Sequence, residues 1–337
     1  MSKYKKQHYL SQCYLKWFQT NILRNWFKSE GCYFWNIFKN PTWDLTWKIF
    51  SSIENLAYKN HLFSFVSYEW ESKIYQPTLE IEFGKFEWAF SILLKNLSSK
   101  YNIFCKTKNI DDFHRINEQE KILLAEFFKF QFKRSLKAHN SFDKDIEKLY
   151  YEILDSQEIK DKFWLERKQA LINNWSFKDS LIKNGGVQSM VNLFSSNNLN
   201  NILLKKNWYF LIITDNNKSF VTSDFPIYRF NEKWKSNWII EKSTQITLPL
   251  TGKIALLMHW DWWKTIYKIF NDNNYIKRVN WMSVANANNL VISSNLKLLK
   301  KIIFAANSDI NFIKNGIIST IFILFLFPLF PLMFFVS

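Results

Sequence analysis

An apolar run that stops at a proline constrains this chain more than any other stretch. Trp208 to Phe230 reads W-Y-F-L-I-I-T-D-N-N-K-S-F-V-T-S-D-F-P-I-Y-R-F, two apolar arms around the turn-forming Asp215-Asn216-Asn217-Lys218. Aromatic and β-branched side chains suit a pleated surface and an Asn-rich loop suits a hairpin, so the arms are expected to pair with each other. Pro226 has no N–H for a ladder and pushes Phe225 toward extended backbone. Pairing should therefore end near Thr222-Ser223-Asp224, which leaves polar side chains at a strand end, a usual place for a site.

The rest of the chain sorts around this stretch. Leu79 to Leu97 puts Phe83, Phe86, Phe90 and Leu93/Leu94 on a helical stripe, with Glu80 and Glu87 on a shared face. Such a carboxylate pair binds a metal, works as acid and base, or is simply solvated. A second helix is expected from Asn117, where N-E-Q-E supplies a cap and an acidic first turn; Phe127, Gln131 and Arg134 share one of its faces. A Gln and an Arg among Phe residues are costly to bury alone, so they face water or meet an anion or a carboxylate. Residues 143 to 183 continue as helix until Asn184-Gly185-Gly186 breaks the pattern, and Ser195 to Asn201 reads as a loop. Residues 19 to 78, dense in Trp and Phe, suggest short helices and little more. Trp238 to Glu241, Gln245 to Leu250 and Lys253 to His259 read as strands, the last two joined by Thr251-Gly252, and Val279 to Leu290 looks helical. His259 ends its strand and is expected to be a satisfied histidine rather than a ligand. The expected class is α+β: a helix-rich half (1–200) against a smaller, mostly antiparallel sheet (201–312), then an apolar tail (313–337).

Partners are bounded by charge. Lys and Arg number 45 against 29 Asp and Glu, a formal charge of +16. A field of that sign draws an anionic ligand, nucleic acid or acidic lipid, although the basic residues are spread along the chain and an AT-rich coding bias would also supply them. A 47% hydrophobic share with 22% charged residues fits neither a disordered chain nor a wholly membrane-embedded one. Cys13, Cys32 and Cys105 lack C-x-x-C spacing, so neither a disulfide framework nor a zinc knuckle is indicated and a reducing interior fits. Gly316 to Ser337 carries no charge and, at roughly 20 residues, meets the minimum for a bilayer span. It is expected to tether a cytoplasmic body to a membrane; a buried terminal segment and a tail made by a lost stop codon are the rivals.

In the segment His8 to Phe18, H-Y-L-S-Q-C-Y-L-K-W-F, a helical register would put His8, Gln12 and Leu15 on one face. This segment, the Glu87 helix, the helix with Phe127, Gln131 and Arg134, and the strand end Thr222-Ser223-Asp224-Phe225-Pro226 together resemble a bacterial family catalogued as domain of unknown function 4238. The family's opening is similar to His-Tyr-Val-Pro-Gln-x-Tyr-Leu-Arg-x-Phe, with Ser11 here in place of its proline, and its Thr-Ser-Asp-x-Pro is matched in full. Leu248-Pro249-Leu250 and the Asn280 to Ser294 region also look like family features. The resemblance brings no activity, but it implies that His8, Gln12, Glu87, Gln131, Arg134, Thr222, Ser223 and Asp224 converge from separate elements.

Two functions are open at this point. In a hydrolase acting on a phosphodiester or similar anionic substrate, His8 would be general acid or base. Glu87 and Asp224 would act as base or hold a divalent metal, and Gln12, Gln131, Arg134, Thr222 and Ser223 would orient the substrate. Ser223 lacks a G-x-S-x-G elbow and is the weaker nucleophile. In a non-catalytic binding or sensing module the same residues are a buried hydrogen-bond network, with Arg134 paired to Glu87 or Asp224. A cleft favours the first reading and a sealed interface the second.

Overall fold

The computed structural model describes residues 6–24, 27–37, 50–69, 72–76, 78–109, 116–155, 169, 174–195, 198–231, 244–260, 266–269 and 271–314. The uncharged tail and the strand expected at Trp238 to Glu241 lie outside them. Among the described residues no helix is long and apolar enough to cross a membrane.

The class is α+β. Strand β1 (Lys6–His8) leads into the one-turn helix α1 (Gln12–Leu15) and a 3-10 turn. His8 is therefore in a strand, not on a helix with Gln12. Where short helices are expected, the described part of residues 19 to 78 supplies one 3-10 turn (Ile53–Asn55) and the strands β2 (Thr20–Arg24), β3 (Phe27–Asn36), β4 (Phe50–Ser51), β5 (Tyr58–Asn60), β6 (Phe65–Glu69) and β7 (Ser72–Gln76). Their aromatic density is a strand preference. Apolar residues occupy both faces, so no two-residue alternation marks it in the sequence.

Helices follow. In α2 (Thr78–Thr107) Leu79, Phe83, Phe90, Leu93, Leu94 and Leu97 are buried, the stripe expected from their spacing. Helix α3 (Glu118–Arg134) opens on a full capping box: Glu120 N donates to Asn117 Oδ1 (2.8 Å) and Asn117 N to Glu120 Oε2 (3.0 Å). Each reciprocal bond satisfies an amide that the first turn leaves without a partner. Helix α4 (Leu136–Asp155) packs on α5 (Trp175–Ser195), and α5 runs through Asn184-Gly185-Gly186 without a break. The reason is close approach: a Cβ on Gly185 would lie 2.9 Å from Ile146 Cγ2, and one on Gly186 2.3 Å from Asp143 Oδ1. Of the loop expected at Ser195 to Asn201, residues 198–201 are instead in α6 (Asn198–Leu204).

The remaining elements are β8 (Asn207–Ile212), β9 (Thr222–Ser223), β10 (Tyr228–Asn231), β11 (Thr244–Pro249), β12 (Ile254–His259), β13 (Ile266–Ile269), α7 (Asn273–Asn286), β14 (Leu290–Ser293) and α8 (Leu296–Lys314). One sheet has the order β10-β11-β12-β8-β13, antiparallel except for the parallel β8–β13 pair. The β11–β12 hairpin is as expected, with Leu248 opposite Leu256. The opening hairpin is not formed. Strand β8 pairs with β12 and β13, whereas β9 crosses to a second sheet, β2-β3-β14-β9, in which Thr222 faces Ile292. The arms are held apart by the Thr251-Gly252 turn between them: Ile213 N donates to Lys253 O (2.9 Å) and Phe220 N to Gly252 O (2.8 Å).

Both faces of the first sheet are covered, which is why β8 reads as an unbroken apolar run. Trp208, Phe210 and Ile212 join Leu248, Leu256, Tyr14, Phe90 and Phe127 in the largest core. Tyr209, Leu211 and Ile213 meet Phe220 and, from α7, Ile276 and Val279. The N-terminal elements are thus fixed to the sheet by shared apolar contacts.

Candidate functional site

Arg134 ends α3 at 1% exposure, and a guanidinium so deep must be neutralised where it lies. The seven-residue spacing on α2 does this: Arg134 Nη1 donates to Glu87 Oε1, and Nη2 to Glu80 Oε1 (3.1 Å) and Oε2 (3.2 Å). The rings of Phe63, Phe83 and Phe130 surround its carbon at 5.4, 4.9 and 5.0 Å, adding cation–π attraction. Burial, with Glu87 beside it, raises Glu80 above the ordinary carboxylate range in spite of Arg134.

His8 is brought here by β1, whose register puts it opposite Tyr58. Its Nε2 lies 3.3 Å from the Glu54 carbonyl and 3.0 Å from Gln12 Nε2, which is also 3.3 Å from Nδ1. The neutral ring uses Nε2 either to donate to Glu54 O, leaving Nδ1 to accept from Gln12, or to accept from Gln12 itself. Burial, and then the Arg134 charge, lowers the His8 pKa to about 4, so the ring is neutral at pH 7. Cys13 is pushed up to about 12 by burial and by Glu87, and is a thiol rather than a thiolate nucleophile. Gln131, one turn before Arg134, is 1% exposed and neither of its amide atoms has a hydrogen-bond partner.

The Thr222–Asp224 end forms a second cluster. Asp224 is 2% exposed, and its oxygens accept from Asn288 N (Oδ1, 2.8 Å) and Asn289 N (Oδ2, 2.7 Å), while its own N–H donates to Leu290 O (3.0 Å). Burial outweighs these amides and pushes its pKa up to about 6. Ser223 Oγ donates to Phe225 O (2.9 Å), inside its own turn. Tyr14 OH donates to Pro249 O (2.5 Å) and so accepts from Thr222 Oγ1 (2.7 Å). Tyr9 lies near enough to Asp224 for that carboxylate, after burial, to raise its phenol.

The eight expected residues are therefore divided. His8 with Gln12 and Arg134 with Glu87 form one group, Gln131 lies buried one turn before Arg134 without a hydrogen bond, Thr222 bonds Tyr14, Asp224 takes the amides of residues 288 and 289, and Ser223 turns into its own loop. The assignment of a metal to Glu87 and Asp224 has no donor set to support it: Glu87 meets Arg134, and both Asp224 oxygens already accept amides. Among the described residues no group of three or more His, Cys, Asp or Glu is placed to hold an ion. Sequence reasoning missed Tyr14, whose setting in Y-L-K-W-F reads as ordinary core. It also missed α7 as a stitching element. Asn280 takes Val221 N on Oδ1 (2.9 Å) and gives Nδ2 to Ser219 O (3.0 Å), and Asn286 Nδ2 donates to Phe225 O (2.9 Å) and Ile227 O (2.6 Å).

Comparison with known proteins identifies a family. The model of a family described as a protein of unknown function (DUF4238) covers residues 6–297. No curated protein and no solved structure matches the chain.

Proposed function

The chain belongs to the DUF4238 family, and from that premise we propose that it is a non-catalytic binding or sensing module whose two polar clusters are structural. The observation that carries this reading is the closed set of partners around Asp224, both of whose oxygens take backbone amides of residues 288 and 289. Charge supports it at the other cluster. With Glu80 and Glu87 ionised, the group with Arg134 and neutral His8 is net negative; with Glu80 protonated it is neutral. Neither state offers excess positive charge to an anionic substrate. The apolar tail, on this reading, would hold the module at a membrane.

The test compares stability with chemistry. Asp224→Asn presents an amide N–H to one of the two donors and should cost about 1–3 kcal/mol at pH 7. Arg134→Met strands two carboxylates and should cost about 3 kcal/mol, at the low end for a buried pair because both glutamates reach solvent. Thermal unfolding of each variant reads these losses. The reading fails if both unfold as the wild type does while hydrolysis of a simple phosphodiester such as bis(4-nitrophenyl) phosphate is lost.

A hydrolytic reading draws on one observation, the neutral His8 within electrostatic range of Glu87 and Arg134. There His8 would accept a proton from water and Glu80, with its raised pKa, would return one to the leaving group. A phosphodiesterase rate in the wild type that His8→Ala abolishes without loss of stability would favour it.

A further inference from the structure

Away from both clusters, a shallow, open depression of about 400 Å³ lies where the first turn of α8 meets the turn between β11 and β12. Thr20, Tyr33, Ser219, Lys253, Ser294 and Lys297 are on its wall, and among the described residues no carboxylate lines it. Lys253 is anchored: its Nζ donates to the carbonyls of Asp215 (2.8 Å), Asn216 (3.3 Å) and Lys218 (2.5 Å). It therefore supplies fixed positive charge rather than free donors.

The donors come from elsewhere. Asn295 caps α8 by accepting Leu298 N on Oδ1 (3.0 Å), and its own N–H is taken by Ser293 Oγ (2.9 Å). Helix geometry leaves the amides of Leu296 and Lys297 without an intrahelical acceptor, at the positive end of the helix dipole. Independently, Ser219 is 6% exposed and its Oγ has no hydrogen-bond partner. Asn280 binds its carbonyl and so holds its backbone; the hydroxyl is buried and unused just behind the wall, and rotation about χ1 would turn it toward a ligand.

We propose that this depression binds a phosphate group, with the α8 amides and the Ser219 and Ser294 hydroxyls as donors and Lys253 and Lys297 as the balancing charge. A tetrahedral anion accepts bonds from several directions at once, which suits donors placed on two separate segments. The volume exceeds that of inorganic phosphate, so the group is either free or carried by a mononucleotide. The inference stands apart from the network reading, because Asp224 and Arg134 are not on this wall.

The experiment is calorimetric titration of the full chain at low ionic strength with inorganic phosphate in one arm and AMP in the other. Saturable binding of either ligand is expected, weakened about tenfold by Lys297→Glu and several-fold by Ser219→Ala. Lys95→Glu, the same charge change on exposed α2, should leave it intact. Binding of AMP alone would identify a nucleotide site, and equal response to both a bare phosphate site. No binding of either at ~10 mM, or equal weakening by Lys95→Glu, overturns the proposal, the latter by marking diffuse attraction. Unfolding curves of the variants establish that a loss of binding is not a loss of fold.

Discussion

His8 and Asp224 have been moved off their ordinary pKa values in directions that oppose each other with pH. The folded chain lowers His8 from 6.5 to about 4, so between those values the unfolded chain binds a proton that the folded one refuses. Stability from neutral His8 is present above pH 6.5 and is lost as pH falls toward 4. About 2 kcal/mol of it should go between pH 7 and pH 5. Asp224 has the reverse sign: raised from 3.8 to about 6, it protonates first in the folded state, so its contribution grows as pH falls through that window. Replacing His8 with Gln should therefore remove the acid-side loss and leave the Asp224 gain. In thermal unfolding at pH 7 and pH 5, the wild type should lose more than His8→Gln. Identical pH dependence in the two proteins would contradict the buried, neutral imidazole. At this scale the sequence was informative about Arg134, because a cation among Phe residues must face water or meet an anion or a carboxylate, and Glu80 and Glu87 shared a face of the preceding helix. It was silent about Tyr14, since a phenol between apolar residues has the same pattern whether or not its hydroxyl has a partner.

Helix elements carry a second measurable contrast, between two glycines that look alike in sequence. Gly84 is exposed in α2 with nothing within 4 Å of an added Cβ, so Gly84→Ala should stabilise by about 0.5–1 kcal/mol through helix preference alone. Gly185 gains the same preference, but its Cβ would press on the β-branched Ile146 at 2.9 Å. Moving α4 and α5 apart should cost about 1–3 kcal/mol and make Gly185→Ala a net loss. Chemical denaturation of the two variants should shift their midpoints in opposite directions; a stabilised Gly185→Ala would show that the helices do not meet there. The same contrast explains the mistaken helix break, because a glycine pair marks either a breaker or a close packing point and only the opposite helix tells which. Capping differs. The Asn117–Glu120 box is closed within four residues, so it could be read in advance.

For the molecule as a whole, the uncharged segment 316–337 would add a membrane tether to the body. Full-length chain should sediment with membranes after lysis and a chain ending at residue 314 should remain in the supernatant. The idea is sunk if both partition alike and the shorter chain is as stable as the longer. What the sequence determined by itself was local or periodic. It specified the α2 stripe, the α3 cap, the β11–β12 hairpin, the α+β class and the residues whose polarity sets them apart, because each follows from neighbours a few positions away. Tertiary structure alone decided that β8 and β9 part into different sheets, that β14 receives Thr222, and that the polar residues gather as two clusters rather than one. Those outcomes rest on pairings between segments hundreds of residues apart, such as Tyr14 with Thr222, and on which of several equally apolar strands meets which. Apolar residues on both faces of a strand do not specify a partner. The turn at Thr251-Gly252, which binds both arms of the expected hairpin, is what separates them.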